Sequence, residues 1–185
     1  MEGHSKTGVS LMKVEEGLDS GPVSAVKEIE IGEMNAGELE DKLSYMGADL
    51  LEEFVLEASK GPVEFIEQDE DKKTYASKIL KNDLDLDFND TSANIVNKIR
   101  GLSPHYGVRF KYDDKFYKIY KAEDFDDNCD KEAGRIIKSD KELIIKTGDG
   151  AISVKEIQAP GKRAMGIDDF LRGNKFQENY VIGGK

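Results

Sequence analysis

Apolar and polar positions alternate near the start of the chain. In "TGVSLMKVEEG" the apolar set is Val9, Leu11 with Met12, and Val14; in "VSAVKEIEIG" it is Val26, Ile29 and Ile31, less strictly spaced. With "GLDSGP" between them, the two runs predict a hairpin. The period then changes. Asn35 stands as a helix N-cap with Glu38 three residues on, and Leu39, Leu43, Met46, Leu50, Phe54 and Ala58 follow at steps of three and four. Leu51 and Val55 widen that stripe, so one helical face must be covered. A hairpin and one helix are too little to do so. Residues 59–83 have no sustained period and are highly charged, which predicts an extended linker at a domain boundary.

Beyond the linker, "TSANIVNKIRGLSP" places Ile95, Ile99 and Leu102 on one helical face and stops at Gly101 and Pro104. Five strand-like runs follow at 107–112, 115–121, 134–138, 142–147 and 151–158, and turn residues separate most of them: Asp113-Asp114, Ser139-Asp140 and Gly148-Asp149-Gly150. "GIDDFLRG" closes the series as a helix. Five short strands between two helices predict a small barrel, most economically OB-like, because closure removes exposed edges.

Composition narrows the classes. The chain has 185 residues and a formal net charge of -11, enough for one ordinary domain or two small ones and too acidic for wholesale coating of nucleic acid. No apolar run nears the ~20 residues that cross a bilayer. The start, Met1-Glu2-Gly3-His4, does not read as a leader, so the expected location is the cytoplasm. The single cysteine, Cys129, sits among carboxylates that disfavour its thiolate, and is read as unreactive. His4 and His105 have no metal-ligand spacing, and neither a Walker loop nor a serine nucleophile elbow occurs, so no metal is expected.

Two features could carry chemistry. "GLDSG" at 17–21 is either a tight turn or a loop that presents Asp19 to a catalytic partner, and the pattern does not choose between them. Cations recur at Lys78, Lys81, Lys98, Arg100, Arg109, Lys111 and Lys162-Arg163, interleaved with Tyr75, Tyr106 and Tyr112. That mixture is either solvated charge or an RNA surface on a β platform. The run 123–132 holds six acids and one lysine and should point away from phosphate.

Several stretches resemble, in order, the methionyl-tRNA formyltransferase family. "TGVSLMKVEEGLDSG" is similar to the end of the catalytic domain and "NAGELEDKL" to the helix after it. "EQDEDKKTYASKI" resembles the interdomain linker, "NKIRGLSP" the beginning of the C-terminal domain, and "TGDGAISVKEIQAPGKRAM" with "DFLRG" its closing strands and basic loop. The resemblance implies an α/β remnant of a Rossmann-type catalytic domain at 1–62, a linker at 63–82 and an OB-like tRNA-binding domain at 83–185. It also implies transfer of formyl from 10-formyltetrahydrofolate to methionyl initiator tRNA, by a monomer in the cytoplasm. Asp19 matches the family's catalytic aspartate. Val14, Glu16, Gly17, Leu18, Asp19 and Gly21 match the loop that lines the folate site. Lys78, Lys81, Arg100, Arg109, Lys162 and Arg163 would contact tRNA.

The family's Asn-x-His pair has no counterpart in these 185 residues, because no asparagine is followed two positions later by histidine. The expectation is therefore a C-terminal part that does not transfer formyl by itself, with Leu39, Leu43 and Leu50 lacking the parallel sheet they would pack on. A sugar-nucleotide N-formyltransferase fragment and a noncatalytic RNA-binding module are the alternatives.

Overall fold

The computed structural model describes residues 1–127 and 130–183; Cys129 lies outside them. Two compact units divide the chain: residues 4–34 with 38–78, and residues 1–3, 35–37 and 79–185. No described helix is long and apolar enough to cross a membrane.

In the first unit the predicted hairpin forms from β1 (Lys6–Met12) and β2 (Val23–Glu30), antiparallel, with Thr7 opposite Ile29, Val9 opposite Lys27 and Leu11 opposite Ala25. Directly opposed side chains share a sheet face. The half-buried face is therefore Thr7, Val9, Leu11, Ala25, Lys27 and Ile29, while Val26 points the other way and is 58% exposed. The sequence expectation of Val26 inside is corrected by register: Lys27 takes the inward position, and its Nζ reaches Glu53 on α1 at 2.7 Å. Helix α1 (Ala36–Ala58) carries the long apolar stripe, yet only Leu50 is buried; Leu51, Val55 and Leu56 are each more than half exposed. Past α1 the chain returns to β2, where Val23 and Ile66 exchange backbone hydrogen bonds of 2.8 and 2.9 Å.

The second unit is organised around α2 (Ser92–Leu102), β3 (Val108–Tyr112), β4 (Lys115–Phe125), β5 (Ile136–Ser139), β6 (Leu143–Lys146) and β7 (Ala151–Gln158). A short β8 (Ala164–Gly166) and α3 (Ile167–Gly173) complete it. All ladders are antiparallel, in the order β3-β4-β7-β6-β5, and β8 extends β7 where β6 ends. Among the described residues no ladder joins β3 to β5. The sheet curls around a core that includes Ile95, Ile99 and Leu102 from α2 and Val108, Ile119, Ile152 and Ile157 from the strands, all at most 2% exposed. Burying each such side chain is worth about 1.5–3 kcal/mol, which is why α2 docks here.

The ends of these elements follow from local chemistry. Thr91 caps α2 by accepting the Asn94 N–H, and Asp149, from the β6–β7 turn, accepts the Ser92 N–H at 2.8 Å. Asp113 and Asp114 both take left-handed φ, 46° and 57°, as a two-residue hairpin between β3 and β4 demands. Strand β4 runs on to Phe125, so the first part of the acidic 123–132 run is strand: Glu123 and Asp124 pair with Ser153 and Ile152. The free edges are covered locally. Leu86 N–H donates to Arg109 on β3, and the C-terminal segment lies along β5, with Ile136 N–H donating to Tyr180 and Ile182 N–H to Gly134.

Candidate functional site

The hairpin turn of the first unit is a wide loop rather than a two-residue turn. Its base is closed by Lys13 N–H donating to Pro22 O at 3.0 Å. Gly21 is dictated by that closure, since a Cβ there would lie 1.8 Å from the Lys13 carbonyl oxygen. Asp19 sits at the tip with φ 53°, a left-handed conformation that aspartate tolerates better than most residues. Val14 and Leu18 are each 94% exposed, and Glu16 and Gly17 are exposed beside them. Gln68 closes the loop from outside: its Nε2 donates to Asp19 O at 2.8 Å and Gly21 O at 2.7 Å. A groove of about 1070 Å³ runs beside the loop, with Leu18, Asp19, Val26, Ile66, Gln68 and Tyr75 in its walls. The loop residues named from sequence thus stand together, two apolar side chains and the carboxylates of Glu16 and Asp19 on a short, hydrogen-bonded arch.

The cations of the second unit fall into an order set by strand register. Arg109 pairs with Lys118, Lys118 with Gln158, and Gln158 with Ala164, so these four form one row across β3, β4, β7 and β8. Neighbouring members are about 4.8 Å apart. The adjacent row, Val108, Ile119 and Ile157, is fully buried, which turns the cationic row away from the core. At its β8 end, Lys162 N–H donates to Ala159 O and Gly161 has φ 68°, so Pro160-Gly161 makes the turn for which Pro then Gly is the preferred pair. That turn holds Lys162 and Arg163 exposed, and Gln158 Nε2 fastens it by donating to Lys162 O at 2.8 Å.

At the β3 end Arg109 is engaged within the fold. Its guanidinium makes a two-pronged ion pair with Asp85 and lies over the Phe116 ring, 5.0 Å from the centroid, leaving the side chain 17% exposed. The Arg109 hydrogen bonds, aided by the charges of Lys98 and Lys81, hold the Asp85 carboxyl below the usual carboxylate range. Lys98 Nζ also donates to Asp85 O at 2.6 Å. Lys81 is exposed, and Arg100 is half-buried with its guanidinium donating to Asn97 at 2.8 Å. Lys78 is exposed in the first unit. Lys118, not singled out from sequence, occupies the centre of the row and donates to Tyr106 O at 2.8 Å. Only register could have found it, because its place depends on which residues of β3 and β7 lie opposite.

The family described as formyl transferase, C-terminal domain, matches residues 78–175, more than half of the chain. The chain belongs to the formyltransferase family. Methionyl-tRNA formyltransferase of Clostridium novyi is 36% identical to this formyltransferase chain over 184 residues, 98% of the chain and 60% of that protein. The enzyme of the same name from Thermosipho melanesiensis is 40% identical over 178 residues, 95% of the chain and 57% of that protein. The chain therefore spans about 60% of the length of these curated relatives. Among solved structures, HypX from Aquifex aeolicus in complex with tetrahydrofolic acid superimposes with a TM-score of 0.69 at 17% identity, covering 91% of the chain and 30% of HypX. An N-formyltransferase from Helicobacter canadensis, bound to folinic acid and dTDP-3-aminofucose, gives 0.65 at 19% identity, covering 81% of the chain and 55% of that protein. These structural likenesses establish the shared fold.

Proposed function

We propose that this chain supplies the aspartate loop and the tRNA-binding domain of a methionyl-tRNA formyltransferase, which moves formyl from 10-formyltetrahydrofolate to the amino group of methionyl initiator tRNA in translation initiation. The observation that carries the reading is the 36% identity sustained over 98% of the chain, which takes in the Asp19 loop, the linker and the curled sheet together. Residues 1–62 are then the end of a Rossmann-type catalytic domain, 63–82 the linker, and 83–185 an OB-like domain. The protein acts as a monomer in the cytoplasm and needs no metal.

The chemistry assigns different work to the two features. The methionyl amine attacks the formyl carbon, a C–N bond forms, and the tetrahedral oxyanion collapses as the folate nitrogen leaves; the amine proton must be taken up. Asp19, on an exposed loop, holds the charge of a protonated partner at that stage. The loop also fits the folate ring chemically: Val14, Gly17 and Leu18 give exposed apolar or side-chain-free surface for a flat heterocycle, buried Gly21 shapes the loop base, and Glu16 and the backbone carbonyls give acceptors for its amino group. Because no Asn-x-His pair occurs in the sequence, formyl transfer by these 185 residues alone is expected to be undetectable.

The phosphate contacts are Arg109 and Lys118 on the strand row and Lys162 and Arg163 on the turn at its β8 end, with Arg100 on α2 and Lys78 and Lys81 on the linker. The net charge of -11 elsewhere repels RNA that does not meet this face. Anisotropy of fluorescent methionyl initiator tRNA titrated with the chain tests the reading at low salt. Saturable binding is expected, and absence of binding by a folded chain would refute it. A second reading, a noncatalytic RNA-binding module, is favoured by the completeness of the cationic row within the second unit. It predicts that Asp19→Asn is silent even when the Asn-x-His part of the enzyme is supplied.

A further inference from the structure

Gln68 has no place in the chemistry above, yet among the described residues it is the one hydrogen-bonded link between the aspartate loop and the linker. Its amide nitrogen gives one proton to Asp19 O and one to Gly21 O, at 2.8 and 2.7 Å. Both acceptors are carbonyl oxygens, so only the NH2 end of the side chain can face them. Among the described residues no other hydrogen bond ties 14–20 to the rest of the unit; the Lys13 to Pro22 bond fixes the base and leaves the tip free to turn. The two carbonyls bracket Ser20 immediately after Asp19, whose left-handed φ is the conformation most in need of support.

The other end of Gln68 is equally constrained. Two residues before it, Ile66 is locked to Val23 by a reciprocal pair of backbone hydrogen bonds. Directly after it, Asp69 caps a short turn at Glu70–Lys72, where Lys72 pairs with Asp69 at 3.0 Å and Lys73 with Glu70 at 2.5 Å. Among the described residues, the path of the linker is thus hydrogen-bonded to the aspartate loop through a single side chain.

We propose that Gln68 is the positioning residue for Asp19, transmitting the set of linker 66–73 to the backbone of the loop. The functional weight of this coupling rests on the assignment of Asp19 above; the coupling itself does not need folate or tRNA to be measured. Loss of these two hydrogen bonds, one exposed and one half-buried, corresponds to a shift of roughly five- to thirty-fold in the loop's conformational equilibrium.

The test is heteronuclear NMR of the full chain, comparing wild type with Gln68→Ala and Gln68→Glu. In wild type the Gln68 side-chain amide protons are expected to exchange slowly with water, and the Asp19 backbone shifts to report left-handed φ. At neutral pH both variants are expected to lose those Asp19 shifts while the Val23 and Ile66 amides stay protected. On acidification below about pH 4 the glutamic acid of Gln68→Glu becomes protonated and regains one donor. Part of the wild-type Asp19 signature should then return in Gln68→Glu and not in Gln68→Ala, with wild type at the same pH as reference. Unchanged Asp19 shifts in both variants would overturn the proposal. So would identical acid responses of the two variants, or loss of the Val23–Ile66 pairing, which would make Gln68 a fastener of the linker alone. Failure of tRNA binding would leave these outcomes untouched, so the two readings fail separately.

Discussion

Replacing Gly21 with alanine probes the aspartate loop at its least tolerant point. The new Cβ would sit 1.8 Å from the Lys13 carbonyl oxygen and 2.9 Å from its carbon, where contact normally begins at about 3.4 Å. Backbone must therefore move by more than an ångström, and the atom in the way cannot rotate aside. The hydrogen bonds in that region are Lys13 N–H to Pro22 O at 3.0 Å and Gln68 Nε2 to Gly21 O at 2.7 Å. At about 1 kcal/mol net for each bond, losing both costs roughly 2 kcal/mol, or about thirtyfold in the opening equilibrium of the loop base. Gly17→Ala is the internal control, because its Cβ meets the Ser20 hydroxyl at 2.2 Å, a group that can swing away. Hydrogen exchange read at the Lys13 amide should accelerate by about thirtyfold in Gly21→Ala and by little in Gly17→Ala. Equal protection of Lys13 in Gly21→Ala and wild type would refute the argument that closure dictates the glycine.

Three further outcomes follow from the second unit. Asp149 accepts the Ser92 N–H and, more weakly, the Ser92 and Thr147 hydroxyls, with the backbone bond the largest cause of a carboxyl held below its ordinary value. A depressed folded-state value stabilises above the unfolded value near 3.9 and is lost as pH falls through the folded one. Urea unfolding between about pH 2 and 6 should therefore show a steeper acid loss in wild type than in Asp149→Asn, and parallel curves would contradict the cap. Gly134 has φ 83° and a virtual Cβ 2.5 Å from Ile182 O, so Gly134→Ala should release the C-terminal segment from β5. Carboxypeptidase would then remove it quickly, and trimming at the wild-type rate would argue against that docking. Asp85→Asn should loosen Arg109 from its ion pair and tighten tRNA binding at low salt; unchanged affinity would mean that Arg109 is not part of the RNA face.

Much of the fold was legible because its elements keep a period. The α2 stripe of Ile95, Ile99 and Leu102 is buried as its spacing requires, and Asp113-Asp114 makes the turn its residues favour. What escaped depended on partners distant in sequence. Val26 reads as apolar and therefore inward, but it is out of phase with Ile29 and Ile31, and the register with β1 sends it outward and brings the amphipathic Lys27 in, its stem half-buried and its amine on Glu53. Strand β8, three residues after a Pro-Gly turn, is too short to show alternation and exists because Glu156, Ile157 and Gln158 offer it an edge. The last part of β4 is charged, and pairing with β7 rather than hydrophobicity holds it. At the site, composition drew attention to Lys162, Arg163 and the Asp19 loop. Lys118 and Gln68 were invisible, since one takes its meaning from lateral strand order and the other from carbonyls 49 and 47 residues away.

On the function proposed above, an acidic chain grips initiator tRNA through Lys118 on the strand row and Lys162 and Arg163 on the turn at its end. The most direct test is the salt dependence of tRNA binding by wild type, Lys118→Ala and the Lys162→Ala/Arg163→Ala double variant. Each phosphate contact contributes close to one to the slope of log affinity against log salt. The account predicts a slope shallower by about one in Lys118→Ala and about two in the double variant. Slopes identical to wild type in both, from chains with unchanged folds, would place the RNA contact elsewhere and contradict the account.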